Sequence, residues 1–314
     1  MAPPTEAGVR IGLSAVVMAL RERQAVVLTT AADEGVRALP FGPFDPLRDR
    51  TFERALRDFV TAQTGFRLGF VEQLYTFGDA GRGSPRAAQG PERQREVSVG
   101  YLALTPDAGS EQQTPQARWD RVLDFFPWED RRDASASLSS VVIDRLLRWS
   151  ESDPRRRARA DNLFALSPGY RWNEERVLER YELLYEAGIV DEAARDADQP
   201  PIPHAPGLTM ASDHRRILAT ALGRLRGKLK YRPVLFDLMP DAFTLSELQA
   251  AAEAVSGLSL HKQNFRRGVE RTGLVAPTGR LSSATGGRPA ELFRFRGVDP
   301  QDGSAPGLSL PAQR

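Results

Sequence analysis

The sequence predicts two folded parts, a mixed α/β domain followed by a small domain of helices with a β-hairpin. Three observations indicate this division. Strand-like runs and one helical run alternate between residues 9 and 104, a proline-rich segment covers Asp191–Leu208, and a pair of capped helices lies in Phe243–Gly273. With 314 residues, 41% hydrophobic and 27% charged, the chain is long enough for two or three domains with their own cores.

The first domain begins with two apolar, β-rich runs, Val9–Leu20 and Ala25–Thr30. They predict a hairpin because a polar turn separates them. Arg50–Ala62 has apolar residues at helical spacing, and Phe70–Phe77 and Val97–Leu104 predict two further strands. The order is therefore strand, strand, loop, helix, strand, strand.

Helical patterns follow the last of these strands. Leu138–Trp149 has helical spacing, and a further helix can be capped by Asn173 and ended by Gly188. The aromatic-rich segment Arg118–Trp128 predicts a stretch packed onto the first domain. The basic run Asp153–Arg159 predicts a solvated turn. The apolar stripes of the helices indicate core packing, with a contact between two copies of the chain as an additional role.

Asp191–Leu208 contains four prolines and a glycine, a composition typical of an interdomain linker. We therefore expect a first domain of residues 1–190, a linker at 191–208, a second domain of residues 209–297 and a disordered tail at 298–314. The second domain opens with a strongly periodic helix, Asp213–Tyr231, which we expect to pack under the elements that follow.

The centre of the second domain predicts a helix-turn-helix. A capping box of Thr244 and Glu247 starts the first helix, and Gly257 ends it, because glycine enters a left-handed cap without a Cβ penalty. Ser259 can cap a second helix that runs to Gly273. Two short helices on a tight glycine turn, the second rich in Arg, Lys, Asn and Gln, are typical of this motif.

The second helix can be phased by its apolar residues. Phe265, Val269 and Thr272 share the face that points into the core, so Gln263 and Arg267 point directly away from it. Gln, Asn and Arg can pair with base edges, and Arg or Lys can reach phosphates. The predicted DNA contacts are Lys262, Gln263, Asn264, Arg266, Arg267 and Arg271. The alternative is a solvated charged face.

The segment Leu274–Phe295 predicts two short strands around a Gly/Ser loop, the wing of a winged helix, with Arg280 and Arg288 at its tip. The charge distribution agrees with this. Residues 208–297 hold 15 Lys and Arg against 7 Asp and Glu, whereas the remainder holds 28 against 34. A basic module joined to an acidic partner is typical of a DNA-binding domain attached to another domain.

Several functional classes are excluded by composition. The chain has no cysteine, which excludes disulfides, thiolate catalysis and cysteine-type zinc sites. His204, His214 and His261 do not have the spacing of metal ligands. We find neither an apolar run of membrane-spanning length nor a signal-peptide pattern, and so expect a cytoplasmic protein.

The order of elements in the first domain resembles the Nudix domain, an α/β/α sandwich that hydrolyses nucleoside diphosphates linked to another group. Its motif places carboxylates at i, i+3 and i+4 on one helix face, where they hold Mg²⁺ against the phosphates. Here the paired Glu positions fall on Thr61, Ala62 or Gln63, and Asp58 is the only carboxylate left in the second half of the helix. We therefore predict no catalytic activity, no bound metal and no resident cofactor.

The whole arrangement resembles one family, the Nudix-related transcriptional regulators of NAD metabolism. The resemblance implies a homodimeric repressor that binds palindromic operator DNA and whose Nudix-like domain binds ADP-ribose or a related NAD metabolite. The strings that carry it are EQLYTFGD (Glu72–Asp79), DHRRILATALGRLRGKLKY (Asp213–Tyr231), FTLSELQ (Phe243–Gln249), NFRR (Asn264–Arg267) and GGRPAELFRF (Gly286–Phe295).

Three residues are candidate effector contacts under this resemblance. Gln73 lies in the string Glu72–Asp79, and Arg82 and Arg86 follow it in a loop where they are available to a diphosphate. That loop, AGRGSPRAAQGPERQR, departs from the compact basic turn of the family. For the two arginines the alternative is a solvated loop.

The sequence thus favours a ligand-responsive transcriptional repressor that is not an enzyme. One alternative is a divergent Nudix hydrolase with an accessory nucleic-acid-binding module. Another is a regulator that has lost its ligand and acts through protein contacts. The lost carboxylate pair and the intact basic helix favour the first hypothesis over the second.

Overall fold

The computed structural model of the protein describes residues 9–32, 35–79, 95–106, 108, 114–133, 140–282 and 289–297. Its first part is built around one sheet of seven strands. In chain order these strands are β1 Val9–Arg21, β2 Gln24–Ala31, β3 Arg37–Ala38, β4 Phe41–Pro43, β5 Val71–Phe77, β6 Arg95–Leu104 and β7 Ala117–Arg121.

The helices occupy the rest of the described chain. They are α1 Phe52–Thr64, α2 Val122–Phe125, α3 Ser140–Ser150, α4 Pro154–Phe164, α5 Val177–Glu186, α6 Asp191–Asp196, α7 His214–Leu229, α8 Leu245–Ser256 and α9 Lys262–Thr272, with 3₁₀ turns at Pro127–Glu129 and Val234–Leu238. A second sheet contains β8 Val275–Ser282 and β9 Ala290–Phe295. Within the described ranges no helix combines the length and apolarity needed to cross a membrane.

Strand β1 lies at the centre of the first sheet. The strand order is β3-β2-β1-β6-β5, with β4 also paired to β1 and β7 to β2. The predicted hairpin of β1 and β2 is confirmed, and its two turn residues, Glu22 and Arg23, have φ values of 49° and 63°. Such left-handed values are what a two-residue hairpin turn requires. On its other side β1 pairs in parallel with β6, from Val9 opposite Arg95 onwards.

The alternation of side chains along β1 fills two separate cores. Leu13 and Val17 point to the face covered by α1, where they pack with Leu56 and Val60. Successive residues of a strand face opposite sides of a sheet, so the intervening residues enter the second core.

Helix α7 joins the two parts of the protein. Its residues Ile217 and Leu222 belong to the same buried cluster as Val16 and Met18 of β1 and Leu248 of α8. Helix α7 contacts α5, β1, β5 and β6 on the side of the first domain, and it contacts α8 of the second. The expectation that it packs under the helix-turn-helix is confirmed, and it covers the sheet as well.

The helix-turn-helix and the wing are confirmed. In the capping box the Glu247 amide donates to the Thr244 hydroxyl at 3.1 Å, and the Thr244 amide donates to the Glu247 carboxylate at 2.7 Å. Gly257 ends α8 with φ of 71°. Strands β8 and β9 pair antiparallel, and the backbones of Phe243 and Phe293 exchange two hydrogen bonds beside them.

The basic run Asp153–Arg159 is helical, so the predicted solvated turn is wrong. Asp153 caps α4 by accepting from the amides of Arg155 and Arg156 at 2.8 and 3.3 Å, and Pro154 occupies the first helical position. An acidic N-cap followed by proline is a start signal for a helix, and it outweighs the charge pattern here.

In place of the linker expected over Asp191–Leu208, the structure has a folded segment. It begins with α6, whose Glu192 is buried and accepts from Arg215 of α7 at 3.0 Å. The prolines follow this helix, and the carbonyl of Pro206 also accepts from Arg215, at 2.7 Å. Proline content therefore marks an irregular segment that is packed onto the first domain.

Two further elements differ from expectation. The aromatic segment Arg118–Trp128 packs on the first domain as predicted, but it also supplies most of strand β7. The helix expected to start at Asn173 starts at Val177, because Asn173 instead holds a turn by accepting from the Glu175 amide at 3.0 Å.

A buried histidine ties α7 to the strands. The Leu39 amide donates to Nδ1 of His214 at 3.1 Å, and the Phe41 ring meets the imidazole edge-on at 4.9 Å. Burial, together with the charge of Arg195, lowers the pKa of His214 from 6.5 to about 4. The neutral form is therefore the one that the folded protein holds.

We predict that this histidine makes the protein less stable in acid. The pKa of His214 is lower in the folded protein than in the unfolded chain. Its contribution to the free energy of unfolding is therefore complete above about pH 6.5 and falls by about 3 kcal/mol as the pH drops to about 4. Denaturant unfolding at several pH values in this range measures the slope of the free energy of unfolding against pH. His214→Asn keeps an acceptor for Leu39 and should reduce the slope. The same change at the exposed His204 should leave it intact, and equal slopes in both variants would contradict the assignment.

Candidate nucleic-acid interface

Helix α9 begins later than expected. It starts at Lys262, after His261, and the expectation that Ser259 caps it is wrong. The turn before it is held against α8 instead. The Leu260 amide donates to the Glu253 carboxylate at 2.9 Å, and the Gln249 side chain donates to the Leu260 carbonyl at 2.9 Å. These bonds extend the turn and fix the direction in which α9 leaves it.

The predicted phase of α9 is confirmed. Phe265 and Val269 are buried, with 3% and 1% of their surface exposed, and Thr272 is half-buried. The opposite side is open. The exposed residues of α9 include all six predicted contacts, Lys262, Gln263, Asn264, Arg266, Arg267 and Arg271. None of these six side chains forms an ion pair with a residue in the described ranges, so their donors face solvent.

The wing extends this surface. Arg280 is exposed on β8, directly after Gly279, whose φ of 72° accompanies an irregularity in the strand pairing. Arg294 and Arg296, on and just beyond β9, are exposed as well and were not among the predicted residues. Their alternation with two phenylalanines was a usable signal, because a strand places alternate residues on opposite faces. Arg288 lies outside the described residues.

The positive charge of the second domain is divided between two uses. The basic residues of α7 face the first domain, where Arg215 pairs with Glu192 and Arg216 pairs with both Asp79 and Glu182. Farther along the helix, Lys228 pairs with Glu72 of β5, and Lys230 lies against Glu174 and Glu175. Within the described residues, the basic side chains of α9 and the wing are not used in this way and stay available for an anionic partner.

The helix that resembles the Nudix motif uses its side chains structurally. The Gln63 amide group donates to the Phe41 carbonyl at 2.6 Å and accepts from the Phe41 amide at 3.2 Å. The Thr61 hydroxyl donates to the Phe66 carbonyl at 3.2 Å, and Ala62 is exposed. Asp58 is exposed and lies 4.0 Å from Arg54. Thr61 and Gln63 thus hold the C-terminal end of α1 to the backbone of Phe66 and of β4.

The carboxylates before and at the start of α1 are engaged in the same way. Asp49 accepts from the Asp45 amide at 2.8 Å, and Glu53 pairs with Arg57 at 2.7 Å. Burial, and secondarily the charge of Glu53, raises the pKa of Tyr101 above its usual value.

Of the predicted effector contacts, the structure describes only Gln73. It is exposed on β5, an edge strand of the first sheet, opposite Tyr101 of β6. Arg82 and Arg86 lie outside the described residues. Strand β5 and the residues just after it are bonded to α7. Asp79 pairs with Arg216 at 2.5 Å, and the Leu74 carbonyl accepts from Arg224 at 3.3 Å.

A buried ionic cluster, which sequence analysis did not find, lies where the turn after α8 meets the first domain. Glu129 accepts from Nε and Nη2 of Arg180 at 2.5 and 2.8 Å, and from Nη1 of Arg226 at 2.5 Å. All three side chains are fully buried. Burial lowers the pKa of the Arg226 guanidinium, with the Glu129 carboxylate opposing the shift.

Comparison with known protein families identifies the second domain. Residues 235–295 match the family model of the NrtR DNA-binding winged helix domain. The ADPR responsive transcriptional repressor NtrR of Acinetobacter baylyi is 42% identical over 88 residues, 28% of this chain and 35% of that protein. The match thus spans about a third of that curated relative.

Comparison with solved structures shows the fold of the whole chain. Shewanella oneidensis NrtR complexed with a 27mer DNA has a TM-score of 0.55 and 20% identity, covering 91% of this chain and 93% of that one. A MutT/nudix family protein from Enterococcus faecalis has a TM-score of 0.52 and 14% identity, covering 94% and 90%. The chain therefore has a Nudix-like domain joined to a winged helix domain, as expected.

Proposed function

We propose that this chain is a DNA-binding transcriptional regulator, a repressor, whose Nudix-like domain senses an ADP-ribose-like NAD metabolite. The observation that carries the proposal is α9. Its apolar residues are buried, while Gln263, Asn264 and Arg267 project outward from the body of the domain. Side chains of these types pair bidentately with adenine and guanine edges in a major groove.

Electrostatics supports the same reading of this surface. Arg266, Arg271 and Arg280 flank the outward row of α9 without ion-pair partners among the described residues. Cations in such places neutralise phosphates, which gives affinity and fixes orientation without selecting sequence. The matching family model and the repressor NtrR, whose name describes it as ADPR responsive, support both the DNA and the effector.

We further propose that the first domain binds its effector without cleaving it. Hydrolysis in a Nudix helix uses two or three carboxylates on Mg²⁺. At the corresponding positions Thr61 and Gln63 bond to backbone groups and Ala62 has no polar group, which leaves Asp58 as the single acid in the second half of α1. The first cations after β5 in the sequence, Arg82 and Arg86, are our candidates for holding a diphosphate. The rival function is a divergent hydrolase with an accessory nucleic-acid module.

The proposal includes a two-fold symmetric homodimer. One recognition helix covers only a few base pairs, so specific affinity generally uses two half-sites about one helical turn apart. The Nudix-like domain, together with α3, α4 and α5, is the surface that we propose for the contact between copies. An effector then regulates only if it prefers one arrangement of the two winged helices over the other.

The first test concerns DNA. Fragments retained by the protein, with and without ADP-ribose, define the operator by sequencing. Replacing Arg267 by Ala should weaken DNA binding by on the order of 1–3 kcal/mol and relax selectivity at one base pair in each half-site. Replacing Arg271 by Ala should weaken binding to all sequences more evenly and lower the salt slope, as expected of a phosphate contact. Parent-like binding by both variants would show that α9 does not enter the groove.

The second test concerns the effector. Calorimetry should detect ADP-ribose binding, and assays with Mg²⁺ or Mn²⁺ should detect no turnover. Turnover that disappears in Asp58→Ala would establish the rival function. If neither ADP-ribose, NAD nor a related compound binds, the Nudix-like fold serves only as a scaffold.

The third test concerns assembly. Sedimentation at micromolar concentration should show a dimer, free and on operator DNA, because each half-site needs one winged helix. A monomer under both conditions would refute the symmetric arrangement.

A further inference from the structure

We infer that Glu129 and Arg226 are positioning residues that set the direction of the recognition helix α9 relative to the first domain, and with it the half-site spacing that the protein accepts. The inference rests on the proposed function. It adds a determinant of operator geometry in residues that are fully buried and lie away from the exposed face of α9.

The first observation is that the cluster holds the C-terminal end of α8. The Arg226 guanidinium donates through Nη1 to Glu129 and through Nε to the Val255 carbonyl at 2.8 Å. Val255 lies in the last turn of α8, whose carbonyls have no partners within the helix. One charged side chain therefore connects the first domain to the end of the helix that precedes the turn.

The second observation is a backbone contact at the same place. The Arg131 amide donates to the Gly257 carbonyl at 2.7 Å, and Arg131 forms an isolated parallel bridge with Leu258. A Cβ built on Gly257 would lie 2.2 Å from the Glu129 carbonyl oxygen and 2.9 Å from Nη2 of Arg226. The turn of the helix-turn-helix is thus pressed directly onto the segment that carries the buried glutamate.

The third observation is that the turn transmits this position to α9. The Leu260 amide and carbonyl are both bonded to α8 side chains, so residues 257–260 follow α8 as a unit. Phe265 and Val269 lock α9 into the same buried cluster as Leu248 of α8. Between Glu129 and the exposed face of α9, each step is a hydrogen bond or a buried contact.

Operator spacing is a direct readout of this geometry. Each added base pair moves one half-site along the duplex and rotates it by about 35°. Two winged helices held rigidly on a symmetric dimer accept a narrow range of spacings. Winged helices held loosely accept a wider range while each still recognises its own half-site.

The decisive comparison is between two Arg→Gln variants of one helix. Arg226→Gln removes the bond from the cluster to Val255, but it leaves Glu129 paired with Arg180, so the buried carboxylate still has one guanidinium partner. Arg224→Gln is the control, since Arg224 is exposed and, among the described residues, bonds to the Leu74 carbonyl of β5 alone. Affinity is measured for DNAs that carry two selected half-sites at varied spacing, and for DNA with a single half-site.

We expect Arg226→Gln to reduce the preference for the best spacing over spacings two base pairs longer or shorter by about tenfold. Its affinity for a single half-site should stay within about threefold of the parent, since the exposed face of α9 is unchanged. Arg224→Gln should keep the spacing profile of the parent. If the two variants share the parental profile, or if the parent itself has no spacing preference, the inference is refuted.

A second pair of variants tests the same inference through the backbone. Gly257→Ala and Gly188→Ala both place a Cβ on a left-handed residue after a helix, with φ of 71° and 63°. At Gly188 the added Cβ meets nothing within 4 Å, whereas at Gly257 it meets the Glu129 carbonyl. Only Gly257→Ala should broaden the spacing profile, and equal profiles refute the inference. A parent protein that retains no specific DNA refutes the proposed function instead, so the two failures are distinguishable.

Discussion

A buried ionic cluster, centred on the carboxylate of Glu129, lies where the two domains meet. Glu129 forms ion pairs with two guanidinium groups, those of Arg180 of α5 and Arg226 of α7. None of the three side chains reaches solvent. A buried carboxylate is stable only while a cation remains paired with it, because an uncompensated buried charge typically destabilises a protein by 3–5 kcal/mol. Helices α5, α7 and α8 are consequently held at one point, and the winged helix domain is joined to the first domain by structure as well as by chain connectivity.

The second domain was largely predictable because its signals are local. The capping box of Thr244 and Glu247, the left-handed Gly257 and the spacing of Phe265 and Val269 each act within one or two helical turns. Local hydrogen bonding and apolar phase are properties that a sequence displays directly. The start of α9 was missed because it depends on Gln249 and Glu253, whose side chains draw the turn onto the preceding helix.

The helical segments between the first sheet and the winged helix domain were not predictable to the same degree. Proline content indicated a linker where α6 and a buried Glu192 are found, and basic character indicated a turn where Asp153 caps α4. The spacing of the buried arginines is a signal that the sequence does contain. Arg215, Leu218, Leu222 and Arg226 follow one another at helical steps of three and four, so both arginines lie on the apolar face of α7. Their partners are distant in sequence, and a single sequence contains no information that pairs them.

The parallel pairing of β1 with β6 has a consequence for how the chain folds. Val9 lies opposite Arg95, so a long stretch of chain separates the two strands and its ends must come together before they can pair. Non-local pairing of this kind slows folding, because loop closure precedes any gain from the contacts. During synthesis the β1–β2 hairpin emerges with one edge of β1 unpaired, and an open apolar edge promotes association with other chains. Chains truncated before β6 should therefore aggregate. The helices that position α9 can complete their packing on the sheet only after β6 has been added.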